Sequence, residues 1–251
     1  MFFAFICLIP IALWTKNHRF PNKKALPFVL GSGILFALDI SIWNESIKLS
    51  NPTQSTVIGN LAPIWIGIAL FLFFANKPRK EFWIGTLIAM LGLFIFMGSE
   101  MFLQLKFDLG FVLAFISSFI YAAYMLVSKK GLEKMPIIQF MTYNMLVATL
   151  FLGAICLILD IPFSPYDSST WLVFITNGLV CQLLGWISIN HAIQKLPAQR
   201  VSLSLLSQSI VTGILAYFIL KEEVTLQMII GGLIILAGIG YTFMPERKGE
   251  L

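Results

Sequence analysis

The stretch LPFVLGSGILFALDISIWNESI, residues 26–47, decides the fold class of this chain. It contains two acidic side chains and no basic one. A bilayer core requires about 20 mostly apolar residues per helix, so this stretch predicts a transmembrane helix. Around it lie eight further apolar runs, namely 1–15, 53–75, 82–98, 108–128, 136–158, 170–194, 200–220 and 224–244. We therefore predict an all-α, polytopic membrane protein with nine spans.

The amino-acid composition excludes an ordinary soluble domain. Apolar residues make up 58% of the chain, charged residues make up 12%, and the mean hydropathy is +0.88. Soluble domains carry about 45–50% apolar and about 25% charged residues. The net charge of +5 does not predict a nucleic-acid partner, because the basic residues lie in short loops between apolar runs. The lipid bilayer is therefore the first predicted partner.

The chain contains an internal repeat, which appears when residue 85 is placed on residue 231, a shift of 146 residues. Under this shift Gly85 matches Gly231 and Gly92 matches Gly238, and no gap is needed from about residue 26 to residue 97. Weak internal symmetry of this kind is typical of transporters built from duplicated helix bundles. We predict a first repeat over 1–99 that lacks its first helix, a five-span second repeat over 107–244, and a cytoplasmic tail over 245–251.

Five is an odd number, so two five-helix repeats must lie in opposite orientations across the membrane. The charges agree with this inversion, because fourteen of the 17 Lys and Arg residues then fall on one face. Cytoplasmic loops collect Lys and Arg. We therefore predict a multi-pass protein of the cytoplasmic (inner) membrane with a cytoplasmic C-terminus. The segments assigned to the cytoplasmic face are 16–25, 77–80, 129–134, 195–200 and 247–248.

Several predicted spans carry polar side chains at helical spacing. Gln182, Trp186 and Asn190, for example, follow one another at intervals of four residues. Polar groups are costly in lipid, so such stripes are expected to face a water-filled cavity or the bundle interior. The residues predicted to line a substrate-binding cavity are Asp39, Trp43, Thr56, Asn60, Tyr121, Tyr124, Gln182, Trp186, Asn190, Ser204 and Gln208.

Asp39 is the strongest candidate for a residue that binds solute or carries a proton, because it lies deep within its predicted span. A carboxylate at that depth costs about 3 kcal/mol or more. It is therefore a candidate proton carrier, or a counter-charge for a cationic solute. The alternative is a hydrogen-bonded aspartate that holds two helices together.

The aromatic residues of these stripes, Tyr121, Tyr124 and Trp186 among them, could form a cage for a cationic or amphipathic solute. Ordinary packing or interfacial anchoring is the alternative for each of them. The runs 82–98 and 224–244 differ, because they offer mainly small residues that let helices pack closely.

Two sets of short motifs, one in each copy of the repeat, stand out. The first copy has LDI at 38–40, WNESI at 43–47, Thr53 and NLAP at 60–63. The second copy has QLLG at 182–185, LPA at 196–198, Ser207-Gln208, Glu222, Gly231-Gly232 and Ala237-Gly238. In these motifs the chain resembles the EamA-type proteins of the drug/metabolite transporter superfamily. The resemblance covers nearly the whole chain, and its motifs indicate the family better than the substrate.

The resemblance implies ten helices in two inverted repeats, with both termini in the cytoplasm. It also implies a central cavity lined by the first, third and fourth helices of each repeat and operated by alternating access. Family solutes are amino acids and other small metabolites, often exported. This sequence departs from the family in lacking the first helix and in having Gln208-Ser209 where many relatives have a proline.

We therefore expect a transporter for a small metabolite, an amino acid or a related amphipathic solute, with export, proton coupling and a homodimer as further expectations. An enzyme is not predicted, because the chain has no HExxH motif, no Ser-His-Asp spacing and no glycine-rich phosphate loop. No cofactor and no metal are predicted. The alternative function is a non-transporting, truncated paralogue that acts as a membrane interaction component.

Overall fold

The computed structural model describes residues 1–17, 19–50, 52–98, 106–160, 166–221 and 223–244. Over these ranges the regular structure is helical throughout. The α-helices are α1 Phe2–Trp14, α2 Leu26–Leu49, α3 Pro52–Gly59, α4 Ala62–Phe73, α5 Lys80–Met97, α6 Leu109–Leu132, α7 Ile137–Ile158, α8 Ser168–Thr176, α9 Trp186–Lys195, α10 Ala198–Ser204, α11 Gln208–Leu220 and α12 Leu226–Thr242. A π-helical segment, Asn177–Gly185, joins α8 to α9, and a 3-10 turn, Leu205–Ser207, joins α10 to α11.

Each of the nine predicted runs is helical in the described ranges. Seven helical stretches are long and apolar enough to cross a membrane, namely Leu26–Leu49, Pro52–Phe73, Lys80–Met97, Leu109–Leu132, Ile137–Ile158, Ser168–Lys195 and Ala198–Ile219. The remaining two helices are shorter, with 13 residues in α1 and 17 in α12. Large apolar side chains such as Leu72 and Phe218 are more than half exposed, as lipid-facing residues are. The prediction of an all-α, multi-pass membrane protein is confirmed.

Helices α5 and α12 pack against each other through glycines. A Cβ added to Gly85 would lie 2.6 Å from the Gly238 carbonyl oxygen, and one added to Gly92 would lie 2.9 Å from the Gly231 carbonyl oxygen. Residue numbers therefore rise along one helix while they fall along the other, so the two helices are antiparallel. Because Gly231 and Gly238 are the repeat mates of Gly85 and Gly92, the contact is self-complementary, as across a two-fold axis. Equivalent helices of the two repeats thus run in opposite directions, as the predicted inversion requires.

Two spans are interrupted at matching positions of the two repeats. In the first, Pro63 lacks an N–H and its ring crowds the carbonyl of Gly59, so α3 ends before α4 begins. The Leu61 N–H donates to the Ile58 carbonyl at 3.0 Å, which tightens the chain at the break. In the second, the 3-10 turn Leu205–Ser207 lies at the positions that the repeat pairs with 59–61. Interrupted helices at membrane depth are typical of transporter binding regions.

Packing divides the chain into two units. Unit 1 comprises Met1–Ser41 and Ala123–Pro197, and unit 2 comprises Ile42–Ala122 and Ala198–Leu251. Each unit takes residues from both sequence repeats, so the packing units and the predicted repeats 1–99 and 107–244 are different divisions of the chain. These repeat boundaries stay a prediction, and the predicted tail 245–251 lies outside the described residues.

Unit 1 is held together by the packing of α1 on α7 and on the π-helical segment. Ala4, Leu8 and Ala12 follow one another every four residues and are at most 2% exposed, so they form the buried face of α1. Phe3 packs closely on Gly178, because a Cβ added to Gly178 would lie 2.7 Å from the Phe3 Cβ.

Unit 2 has its core between α5, α12 and the span that begins at Ala198. Its fully or nearly buried members are Ala89, Met90, Leu93, Leu203, Leu206 and Ile235. This core packs the 3-10 turn that precedes α11 against α5 and α12.

Candidate functional site

Unit 1 contains a cluster of three aromatic rings, those of Phe36, Tyr124 and Trp186. The rings of Phe36 and Tyr124 are stacked, with centroids 4.9 Å apart and planes inclined by 23°. Trp186 meets both rings edge-on, at 4.6 Å from Phe36 and 5.4 Å from Tyr124. Helices α2, α6 and α9 each supply one ring, so the cluster fixes three spans relative to one another.

Polar side chains lie beside the hydroxyl of Tyr124. Ser128 and Asn190 are its neighbours, and Asp39 lies close enough to interact with it electrostatically. The Asn190 Nδ2 donates to the Trp186 carbonyl at 2.8 Å, which holds its amide beside the ring cluster. Asp39 is 9% exposed, Asn190 1% and Tyr124 0%, so this group of polar side chains is buried inside unit 1.

The structure therefore brings together four residues predicted from sequence, namely Asp39, Tyr124, Trp186 and Asn190. Sequence reasoning missed Phe36, whose signal was its position three residues before Asp39 on the same helical face. Phe36 and Tyr124 are completely buried, which agrees with the packing alternative for Tyr124. The aromatic cage stays a prediction.

The side chains around Tyr124 could take part in proton transfer or in binding a cation. A carboxylate beside a phenol and a primary amide can hold or pass a proton through hydrogen bonds. A carboxylate next to aromatic faces can also attract a cation. Within the described ranges, no three His, Cys, Asp or Glu side chains come together as a metal site would need.

Gln182, a further predicted residue, lies in the π-helical segment of unit 1. A π-helical turn holds more residues than an α-helical one, so spacing by four no longer stacks Gln182 above Trp186. Its Oε1 is buried and has no hydrogen-bond partner among the residues that the structure describes. π-Helical turns often occur at functional sites, so Gln182 remains a candidate.

Unit 2 contains a second polar pair at the interrupted spans. The Gln208 Nε2 donates to the Asn60 Oδ1 at 3.4 Å, a long hydrogen bond. Asn60 is only 9% exposed, and its Nδ2 has no partner in the described part of the chain. Gln208 is exposed, so the pair extends from the interior of unit 2 to an accessible surface. Both residues were predicted from sequence, but their direct contact was not.

Of the other predicted residues, Trp43 lies next to the break, because a Cβ on Gly59 would be 3.7 Å from its Nε1. The hydroxyls of Thr56 and Ser204 each donate at 2.8 Å to a carbonyl four residues earlier in their own helices. They keep free acceptor lone pairs. Tyr121 is half-buried on α6. The roles of these four residues in binding stay predictions.

Inverted helical repeats, interrupted spans and polar side chains buried within spans are typical of membrane transport proteins. The model of the EamA-like transporter family matches residues 1–98 and 108–244, and the chain belongs to this family. It is thus a membrane transporter of the EamA type.

The most informative relatives are also named as transporters. An uncharacterized transporter of Archaeoglobus fulgidus is 22% identical over 244 residues, which cover 95% of this chain and 82% of the relative. The uncharacterized transporter YdfC of Bacillus subtilis is 22% identical, with 97% and 79% covered. The S-adenosylmethionine uptake transporter of Rickettsia prowazekii is 20% identical, with 98% and 81% covered. These names indicate transport rather than enzymatic turnover.

A solved crystal structure shares the fold. It superimposes with a TM-score of 0.77 at 16% identity, over 98% of this chain and 86% of that chain. At this level of identity the likeness concerns the fold alone.

Proposed function

We propose that this transporter carries a small amphipathic metabolite, an amino acid or a related solute, by alternating access through a central cavity. The observation that carries the proposal is the buried group of Asp39, Tyr124, Trp186 and Asn190 in unit 1. A charged or polar group inside a span is expensive, so it is expected to serve binding or coupling. The group combines a carboxylate with the partly exposed ring of Trp186, which suits a solute with a positive charge and an apolar part.

Asp39 has the central role in this proposal. It binds the cationic group of the solute or carries the coupling proton. In either case Tyr124 lies close enough to the carboxyl group to interact with it electrostatically. The S-adenosylmethionine transport named for the Rickettsia relative is compatible with this chemistry, because that compound is a sulfonium-bearing amino acid derivative.

Contacts within each unit support the alternating topology. In unit 1 the Gln139 Nε2 donates to the Arg19 carbonyl at 2.6 Å, and the Lys129 Nζ donates to the Leu196 carbonyl at 3.2 Å. The Lys129–Leu196 bond joins two segments assigned to the cytoplasmic face, and the Gln139–Arg19 bond joins such a segment to the start of α7, which follows another. In unit 2 the Gln54 Nε2 donates to the Lys106 carbonyl at 2.7 Å. This bond joins the start of α3 to the residues before α6, two places that the alternation of spans puts on the opposite face.

The topology predicts which single cysteines react from which side of the membrane. Cysteines at Lys23 and Lys130 are expected to react with a membrane-impermeant maleimide only in inverted vesicles, and a cysteine at Lys106 only in intact cells. All three side chains are exposed, so accessibility depends on the membrane and not on packing. Labelling of positions 23 and 130 from opposite faces would contradict the inversion. The background is the full chain with alanine in place of Cys7, Cys156 and Cys181.

Transport itself is tested by counterflow with purified full-length protein in liposomes. The vesicles are loaded with one unlabelled solute at millimolar concentration and diluted into a trace of the same labelled solute. The panel contains the common amino acids and S-adenosylmethionine. An alternating-access carrier is expected to accumulate label transiently, whichever direction it favours in the cell, because exchange needs no net driving force. If every solute gave only the signal of protein-free liposomes, the proposed function would be wrong.

A further inference from the structure

We infer that the Asn60–Gln208 pair of unit 2 binds the carboxylate group of the solute. This inference rests on the proposed function for its biological purpose and names one chemical group of the transported solute. Binding, however, is measured without transport.

The first argument is that the buried side-chain amide of Asn60 has N–H donors without an acceptor among the described residues. Asn60 is nine-tenths buried, and its Oδ1 already accepts from the Gln208 Nε2. Its Nδ2 carries two N–H groups and has no partner among the described residues. A buried donor left without an acceptor costs about 1–3 kcal/mol, so an acceptor supplied by a ligand would be stabilising there.

The second argument is the position of the pair on the fold. Asn60 lies two residues before α4, and Gln208 is the first residue of α11. Because the two breaks are repeat mates, each repeat contributes one amide side chain beside its break, and the two amides meet in one hydrogen-bonded pair. The spare N–H groups of the Asn60 amide are donors only, so they suit an acceptor such as a carboxylate and not a cation.

The third argument concerns the acidic residues of unit 2. Its described carboxylates lie at or near helix ends, away from the middle of the spans, namely Glu45, Glu81, Asp108 and Glu223. A ligand carboxylate at Asn60 therefore meets no mid-span carboxylate among the described residues of unit 2. Unit 1 is the opposite case, because Asp39 lies inside its span and suits a cation. A carboxylate accepts charge-assisted hydrogen bonds from amides, which are stronger than those to a neutral carbonyl.

The test compares acids with their methyl esters. Purified full-length protein in detergent is heated with L-leucine, L-phenylalanine, L-methionine or L-glutamine, and in parallel with the methyl ester of each. Ligands that bind only the folded state raise the melting temperature. We expect at least one acid to raise it, and the matching ester to bind at least about ten-fold more weakly because it lacks the anionic oxygen.

Two variants test whether the preference for the acid over the ester arises at Asn60 and Gln208. Asn60→Asp keeps the size of the side chain but adds a negative charge, and it is expected to weaken binding of the acid at least about ten-fold while the ester is little affected. Gln208→Glu also adds a negative charge without changing the size of the side chain, and it is expected to weaken binding of the acid in the same way. Because Gln208 is exposed, the protein should tolerate this charge, so the variant serves if Asn60→Asp fails to fold. The matched control is Gln227→Glu, an amide of unit 2 that donates to the Ile95 carbonyl at 2.8 Å and should leave the preference for the acid intact.

The inference is overturned if acid and ester stabilise the protein equally, or if both site variants keep the preference for the acid. It is also overturned if no acid in the set stabilises the protein. In that case water would be the partner of the Asn60 amide. Counterflow separates this result from the proposed function. Exchange of esters as fast as acids keeps the transporter and removes the carboxylate site. Acid binding that is lost in Asn60→Asp, without counterflow of any solute, keeps the site and removes the transport proposal.

Discussion

Asp39→Asn is expected to reduce the initial rate of counterflow by about 10- to 100-fold, while the protein still folds and inserts. Asparagine has nearly the same shape and is also a hydrogen-bonding side chain, so the packing of unit 1 is preserved. What is lost is the charge. A hydrogen bond to a charged group contributes about 1.5–3 kcal/mol, and each 1.4 kcal/mol corresponds to about ten-fold. The measurement is the initial rate at tracer concentrations, across a range of pH.

Glu45→Gln on the same helix is the matched control. Glu45 pairs with Lys48 at 2.6 Å, but both side chains are more than half exposed, and such pairs contribute little. Its counterflow should equal that of the unchanged chain. If Asp39 carries the coupling proton, the pH dependence of the rate should flatten in Asp39→Asn and persist in Asp39→Glu. Wild-type rates and an unchanged pH profile in Asp39→Asn would instead make this carboxyl a structural link between helices.

The fold was largely predictable because membrane insertion depends on local properties. The length and apolarity of a run are read directly from a sequence such as 26–47, and every predicted run is helical. The inversion was also predictable, because the shift that pairs Gly85 with Gly231 is visible in the sequence and the packing of α5 on α12 uses it. These features require no knowledge of which helices meet.

The site was predicted only in part, because it depends on contacts between distant helices. The stripe that contains Trp186 and Asn190 indicated two members of the unit 1 cluster. The position of Phe36 three residues before Asp39 puts it on the same helical face, but no local pattern shows that its ring stacks on Tyr124. The π-helical segment that contains Gln182 was not predicted either. Its sequence, NGLVCQLLG, follows no pattern that separates a π-helix from an α-helix. Such turns depend on how the neighbouring helices pack.

Gly238→Ala is expected to destabilise the protein by about 1–3 kcal/mol, although alanine is the better helix former. A Cβ at position 238 would lie 2.5 Å from the Ala89 amide nitrogen and 2.7 Å from the Gly85 carbonyl oxygen. Both are backbone atoms that cannot rotate away, so α5 and α12 must separate along their contact. The gain in helix propensity, at most about 1 kcal/mol, offsets only part of this cost. The measurement is the free energy of unfolding by denaturant titration in detergent micelles.

Gly240→Ala is the control for this prediction, because it lies on the same helix and a Cβ there would have no atom within 4 Å. It gains propensity without a clash, so it should be neutral or slightly stabilising. Gly92→Ala, the repeat mate of Gly238→Ala, places its Cβ 2.6 Å from the Ile235 nitrogen and should cost a similar amount. The double variant should cost less than the sum, because the first alanine already separates the helices that the second would clash with. Equal stability of Gly238→Ala and Gly240→Ala would show that α5 and α12 do not approach this closely in the folded protein, and the argument for inversion from their contact would then fail.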